Sequence, residues 1–222
     1  MKRRTLDLMF SVGGLVVAGL LLVMGLVLTS NANFAKDYTE SQLAAQGITF
    51  KAADKLTDAE KAGAPCTIAY AGQTLRTGKQ AECYSQYIGV HVAQTAEGRT
   101  YATQGDFVNG LKAELAAAQK ANPIDQAKID DLNKKITAGT AARETLFKGE
   151  TLKGLLLTSY GFSVFGTKGG EAANVAYLVA GLMFILSLAG LYHAFRTPRT
   201  KGFATVDLAV NGSRKVLAEA NA

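Results

Sequence analysis

The feature that most restricts how this chain can fold is an uncharged run of 21 residues, Leu8 to Leu28. A helix rises about 1.5 Å per residue, so this run reaches about 31 Å, enough to cross the hydrocarbon core of a bilayer. A second long apolar run extends from Ala172 to Phe195. The sequence therefore predicts transmembrane helices at residues 8–29 and 172–195, with the residues between them on one side of a membrane.

Basic residues are concentrated outside the central part of the chain. Residues 30–171 carry 16 Lys and Arg against 15 Asp and Glu, whereas the two ends carry eight against three. The basic residues next to the apolar runs are Lys2, Arg3, Arg4, Arg196, Arg199 and Lys201. Such clusters are typical of the cytoplasmic side of a membrane protein, whereas nucleic-acid binders carry a basic face on a folded domain. We therefore expect a two-span plasma-membrane protein with residues 1–7 and 196–222 in the cytoplasm, residues 30–171 outside, and no nucleic-acid partner.

A cleaved signal peptide is the alternative interpretation of the N-terminus. Ser30-Asn31-Ala32 has the small residues of a cleavage site. Against cleavage, the apolar run exceeds the roughly 7–15 residues of a secretory signal. We therefore favour an uncleaved anchor.

Residues 30–105 predict a small α+β module outside the membrane. Thr57 with Glu60 has the pattern of a capping box, and a further helix is expected to start at Thr77. Short alternating stretches predict a β-hairpin from residues 66–70 and 73–76, and strands at residues 88–94 and 99–102. Cys66 and Cys83 both lie in this module, and in an oxidising compartment an even pair is most simply a disulfide.

Residues 106–148 predict a helical hairpin. Their apolar residues recur at spacings of three and four, and the pattern is interrupted at Asn122-Pro123-Ile124-Asp125. We expect Asn122 to cap the second helix, with Pro123 at its first position and Asp125 near its positive end. The fold class predicted as a whole is a mainly α membrane protein, in which two transmembrane helices flank a small α+β extracytoplasmic domain with a helical hairpin.

Residues 149–171 contain an apolar, aromatic stretch that is too short to span a bilayer. Its aromatic residues Tyr160, Phe162 and Phe165 predict a position in the interface on the outer side of the membrane, where such rings are favoured. A hinge is expected at residues 166–170, before the second span.

Small residues recur at helical spacing in both spans and predict close helix packing, within one molecule or between copies. Glycine is also simply common in membrane helices, which is the alternative explanation. The residues concerned are Gly14, Ala18 and Gly25 in the first span, and Ala176, Ala180, Ser187, Gly190 and Ala194 in the second.

Three stretches carry a resemblance to a known group of proteins: residues 77–84, residues 87–91 and residues 147–157. Together they resemble a family of actinobacterial membrane proteins with two spans around one extracytoplasmic domain. The resemblance covers most of the chain and implies no established activity. Some members of that family carry the label of a ring-opening dioxygenase.

The residues needed for such chemistry are not brought together by the sequence. A non-haem iron site requires two histidines and a carboxylate, and the two histidines, His91 and His193, are expected on opposite sides of the membrane. Cys66, Cys83 and His91 have no fourth ligand at suitable spacing for zinc, so a disulfide with a surface histidine is favoured. His193 with Tyr192 suggests a proton relay or a quinone contact, but its position one turn from Arg196 favours an interfacial residue.

The sequence thus predicts a non-enzymatic protein without a cofactor or a bound metal. We expect a structural or accessory subunit of an envelope or respiratory membrane complex, or a homo-oligomer. Its partners would be membrane lipid and other membrane proteins or copies of itself. The alternative is a module near the membrane that binds a lipid or a quinone, suggested by the aromatic stretch around Tyr160.

Overall fold

A computed structural model describes residues 3–198, without the side chain of Arg3. Within this range the chain forms five α-helices: α1 (Arg3–Ala45), α2 (Asp58–Gly63), α3 (Gly78–Thr95), α4 (Tyr101–Ala118) and α5 (Gln126–Arg196). Two short 3-10 helices, Ala53–Lys55 and Pro65–Ile68, precede and follow α2. The predicted cytoplasmic tail at residues 196–222 lies outside the described residues apart from its first three, as do Lys2, Arg199 and Lys201.

The prediction of an α+β module is wrong, because residues 3–198 contain helices and no strand. One isolated antiparallel bridge joins Thr49 to Thr74. Around it, the amide of Phe50 donates to the carbonyl of Gln73 at 2.9 Å, and the amide of Leu75 donates to Ile48 at 2.8 Å. The β-like pairing is therefore too short to form strands, and it joins residues 48–50 to residues 73–75 instead of forming the predicted hairpin.

Each predicted strand belongs to another element for an identifiable reason. Pro65 begins the 3-10 helix that contains Cys66, so residues 66–70 turn instead of extending. Residues 88–94 lie inside α3, where Ile88 and Val92 are four residues apart and, with Ala96 at the end of the helix, pack on Leu146 of α5. Residues 99–102 contain the start of α4, which is capped by the Thr100 hydroxyl accepting from the amide of Thr103 at 3.2 Å.

Helices α1 and α5 are long and uninterrupted, at 43 and 71 residues. Each contains a segment long and apolar enough to cross a membrane by length and composition. Residues 149–171 are helical throughout and form part of α5, so the hinge predicted at residues 166–170 is not a break in the helix. α1 ends shortly before Gly47, whose φ of +63° lies in the left-handed region that favours glycine.

The chain divides into two units, which share these two helices. Among the described residues, the helix-pair unit comprises residues 3–28 and 171–198, and the central unit comprises residues 29–170. In the central unit, the largest core cluster joins Leu43 of α1, Phe50 and Leu75 of the connecting segments, Ala81 of α3 and Leu156 of α5. The parts of α1 and α5 that belong to the central unit therefore share one hydrophobic core with α3.

A second cluster in the central unit joins α4 to the first turns of α5, through Leu111 and Ala118 packed against Ile129 and Leu132. The predicted capping of α5 by Asn122 is wrong. Instead, the carboxylate of Asp125 accepts a hydrogen bond from the amide of Lys128 at 3.0 Å, and α5 begins at Gln126.

Candidate functional site

The small residues of the helix-pair unit lie where its two helices meet. A side chain added at Gly14 would collide with Ser187, one at Gly190 with Ser11, and one at Gly25 with the ring of Tyr177. The other predicted packing residues are buried: Ala18, Ala176, Ala180, Ser187 and Ala194. Close approach of the helices therefore depends on these positions, within this one unit.

A groove of about 490 Å³ runs along the same helix pair. Small residues lie beside large apolar ones in it, and none of its lining residues is charged. The lining residues are Leu15, Ala18, Gly19, Leu22, Tyr177, Ala180, Gly181 and Phe184. Nothing lies within 4 Å of a Cβ built on Gly19 or Gly181, so this surface is open at both glycines.

The two cysteines are joined in the central unit. Cys66 and Cys83 form a disulfide with their Cα atoms 5.8 Å apart, well inside the range that a disulfide can bridge. The bond fastens the 3-10 helix Pro65–Ile68 to α3 and lies against the core cluster that contains Leu75. The predicted pairing is confirmed.

A buried carboxylate next to this disulfide-linked segment was not predicted as a site. The side chain of Glu60 is 1% exposed, and its Oε1 accepts a hydrogen bond from Lys51 Nζ at 2.7 Å. Its Oε2 accepts from the amide of Thr57 at 2.7 Å, which completes the predicted capping box of α2. His91 Nε2 lies 2.9 Å from Glu60 Oε1 without the alignment of a hydrogen bond, and the His91 ring contacts Tyr87 with centroids 4.7 Å apart.

These contacts favour the ionised form of Glu60. The hydrogen bond from Lys51 is the largest cause, followed by the Thr57 amide, and together with Tyr87 they lower the pKa of Glu60 to about 2 despite the opposing effect of burial. The same bond raises the pKa of Lys51 above its ordinary value. The cluster therefore holds a fixed negative charge in contact with a fixed positive charge.

Only part of the cluster around Glu60 can be predicted from the sequence. Thr57 and Glu60 have capping-box spacing, but Lys51 and His91 lie nine and 31 residues from Glu60 and follow no pattern that would pair them with it. His193, the other histidine, belongs to the helix-pair unit, with Nδ1 3.5 Å from Oδ2 of Asp7. Within residues 3–198, no three His, Cys, Asp or Glu side chains are grouped as metal ligands.

The three predicted interfacial rings have different surroundings. The hydroxyl of Tyr160 accepts a hydrogen bond from Lys79 Nζ at 3.1 Å, and this bond raises the pKa of Lys79. Phe162 meets the ring of Tyr38 edge-on at 6.5 Å, and Phe165 is 78% exposed. The stretch thus contacts α3 through Tyr160, whereas the side chain of Phe165 is exposed.

A cavity of about 260 Å³ lies in the central unit between α1, the start of α3 and α5. Most of its lining residues are polar or glycine. The lining residues are Ala32, Asn33, Lys36, Thr39, Glu40, Arg76, Thr77, Gly78, Ser163, Gly166, Thr167 and Gly170. An Nη of Arg76 lies 4.0 Å from Glu40 Oε1, and both side chains are about half exposed. No carboxylate among residues 3–198 forms an ion pair with Lys36, so positive charge exceeds negative charge at this cavity.

Comparison of the chain with models of protein families, with curated proteins and with solved structures finds no match. The resemblance to the actinobacterial group therefore stays a prediction.

Proposed function

We propose that the protein is a non-enzymatic integral membrane protein that binds a transmembrane helix of another protein, as an accessory subunit of an envelope or respiratory complex. The observation that carries this proposal is the uncharged groove along the helix pair. In this arrangement both ends of the chain are cytoplasmic and residues 30–171 are outside, as the distribution of basic residues favours.

Exposure of the apolar segments supports insertion in a membrane. Only 17% of the most apolar window of each long helix is buried, whereas a core helix of a water-soluble protein would be mostly covered. Phe10, Leu178 and Phe195 are each more than two-thirds exposed. A continuous apolar surface of this kind needs lipid or a partner to cover it.

The groove favours a helix as its partner. Gly19 and Gly181, beside the buried Ala18 and Ala180, would let a third backbone approach closely, and such small residues are enriched where membrane helices associate. Since Gly14, Gly25 and Gly190 already pack the pair itself, Gly19 and Gly181 are the glycines of the groove that remain open to a partner.

The test is purification of the full chain in a mild detergent, followed by native mass spectrometry. The expected result is a complex that contains a second membrane protein and is lost in Gly19→Leu, which fills the groove. Gly13→Leu is the matched control, because a Cβ at Gly13 also meets nothing within 4 Å but Gly13 does not line the groove. A complex made only of copies of this chain would favour the homo-oligomer, and a bare monomer would contradict the proposal.

The cavity in the central unit favours a second candidate function, the lipid-binding module. A quinone ring would need an apolar cavity beside Tyr160, Phe162 and Phe165, but the cavity that this stretch of α5 lines through Ser163 is lined mainly by polar side chains and glycine. These groups suit a polar headgroup. Extraction and quantification of the lipid retained by the purified chain tests this candidate, and a chain free of bound lipid would contradict it.

A further inference from the structure

We propose that the cavity between α1, α3 and α5 binds a phosphate group, and that the physiological source of this phosphate is the headgroup of an anionic lipid in the outer leaflet. The inference rests on the second proposed function and specifies its ligand. Lys36 and Arg76 are the recognising residues.

Positive charge exceeds negative charge among the residues that line the cavity. Lys36 of α1 and Arg76 of the segment before α3 both line the cavity, where the only carboxylate among its lining residues belongs to Glu40. The 4.0 Å separation between Arg76 and Glu40 is at the limit of an ion pair, and Lys36 has no ion-pair partner within residues 3–198. An anion that contacts both Lys36 and Arg76 in this cavity would therefore gain two charge-assisted contacts and break at most one weak one.

Neutral donors add to this charge. The hydroxyl of Ser163 makes no hydrogen bond with another part of residues 3–198, although it lines the cavity. The side-chain amide of Asn33, which also lines the cavity, is likewise without a protein hydrogen-bond partner in the described range. A phosphate oxygen accepts from hydroxyl, amide and ammonium groups alike, so these side chains suit a phosphate better than a carboxylate with fewer acceptor sites.

Size and position favour a lipid headgroup. A volume of about 260 Å³ is the space of about nine water molecules, comparable with the heavy atoms of a phosphoglycerol group. Ala32, one of the lining residues, follows Leu28 by four residues of α1, which is about 6 Å of helix. The headgroup layer outside the hydrocarbon core is about 5–7 Å deep, so a headgroup next to the end of the proposed span can reach Ala32.

The test uses the full chain in nanodiscs of phosphatidylcholine with a minor share of phosphatidylglycerol, and measures the ratio of the two lipids that stay bound after transfer to detergent. The wild type is expected to retain phosphatidylglycerol preferentially. In the double variant Lys36→Gln/Arg76→Gln this preference should fall by about fivefold or more, as the loss of even one net hydrogen bond would produce.

The matched control is Lys120→Gln/Lys134→Gln, which removes the same charge from two exposed lysines away from the cavity. Its lipid preference should equal that of the wild type, and the thermal midpoints of the variants report whether they fold. A second arm adds inorganic phosphate to delipidated protein at constant ionic strength and measures the thermal midpoint.

The outcomes are distinct. A preference for phosphatidylglycerol that depends on Lys36 and Arg76 supports the lipid source. A stabilisation by inorganic phosphate alone, with the same dependence, retains the phosphate site and overturns the lipid source. The absence of both effects, or equal effects in the control variant, overturns the phosphate site, whereas a chain that does not enter nanodiscs at all contradicts the proposed membrane insertion instead.

Discussion

Nζ of Lys51 lies 2.7 Å from Oε1 of Glu60, and the two side chains differ sharply in exposure, at 42% and 1%. Lys51 is therefore partly in contact with solvent while it pairs with a buried carboxylate. This ion pair joins the segment after α1 to α2. Because a buried charge is costly unless it is paired, the position of Glu60 depends on Lys51 remaining in place.

Replacement of Glu60 by Gln is expected to destabilise the central unit by about 1–3 kcal/mol, because it removes the charge that strengthens these hydrogen bonds. Gln is accepted at this position of a capping box, so the start of α2 is preserved. Denaturant unfolding of the full chain in mild detergent measures the difference.

The control is Glu144→Gln, since Glu144 pairs with Lys148 at 2.9 Å and both side chains are about two-thirds exposed. An exposed pair of this kind contributes little, and we expect a loss of at most about 0.5 kcal/mol. Equal losses at the two positions would contradict a special role of burial at Glu60.

The stability of the central unit should fall in acid through Glu60. Its pKa is about 2 in the folded protein against an ordinary value of 4.5, so the unfolded chain binds the proton more readily. The stabilisation is therefore complete above about pH 5 and is lost as the pH falls towards 2. Lys51, Tyr87 and His91 face the carboxylate, so thermal midpoints of Glu60→Gln across this range, subtracted from those of the wild type, isolate the contribution of Glu60.

Local rules explain which parts of the fold were predictable. The capping box of Thr57 and Glu60 depends on residues three apart, and the structure confirms it. The lack of charge from Leu8 to Leu28 likewise indicated an apolar helix directly. The short alternating stretches do not distinguish strand from helix. Ile88, Val90 and Val92 alternate, but Ile88 and Val92 are also four residues apart and share the helix face that packs on Leu146.

The candidate sites were less predictable because they are made by distant parts of the chain. The cavity joins Lys36, Arg76 and Ser163, which are separated by 40 and 87 residues. No sequence spacing indicates that α1 and α5 place such residues together. Arg76 in particular was expected at the end of a β-hairpin strand, an assignment that gives no reason to place it beside Lys36 and Ser163.

Two adjacent glycines test the packing of the helix pair. Gly14→Leu should destabilise the protein by about 1–3 kcal/mol, since the new side chain would collide with Ser187. Gly13→Leu adds the same atoms on an open surface and should cost nothing measurable. Thermal unfolding in mild detergent compares the two, and equal midpoints would show that Gly14 is not held against the second helix.

The disulfide between Cys66 and Cys83 is expected to stabilise the folded protein. Cys66 and Cys83 close a loop with a sequence separation of 17 residues, and their bond should stabilise the folded state by about 3 kcal/mol. The variant Cys66→Ser/Cys83→Ser is expected to lose this amount in denaturant unfolding, and a reductant should lower the midpoint of the wild type but not that of the variant. A wild type indifferent to reductant would argue against the bond.

The same cysteines test the proposed orientation in the membrane. In intact cells, a thiol reagent that does not cross membranes should label Cys66 and Cys83 only after a reductant is added, since a disulfide persists in an oxidising compartment. External protease should cut the central unit while a tag after Ala222 stays protected. Labelling without a reductant would contradict the disulfide. If neither cysteine is labelled even after a reductant and a denaturant are added outside the cell, residues 30–171 lie in the cytoplasm. Loss of the tag would place the C-terminus outside, which two spans with a cytoplasmic N-terminus do not allow.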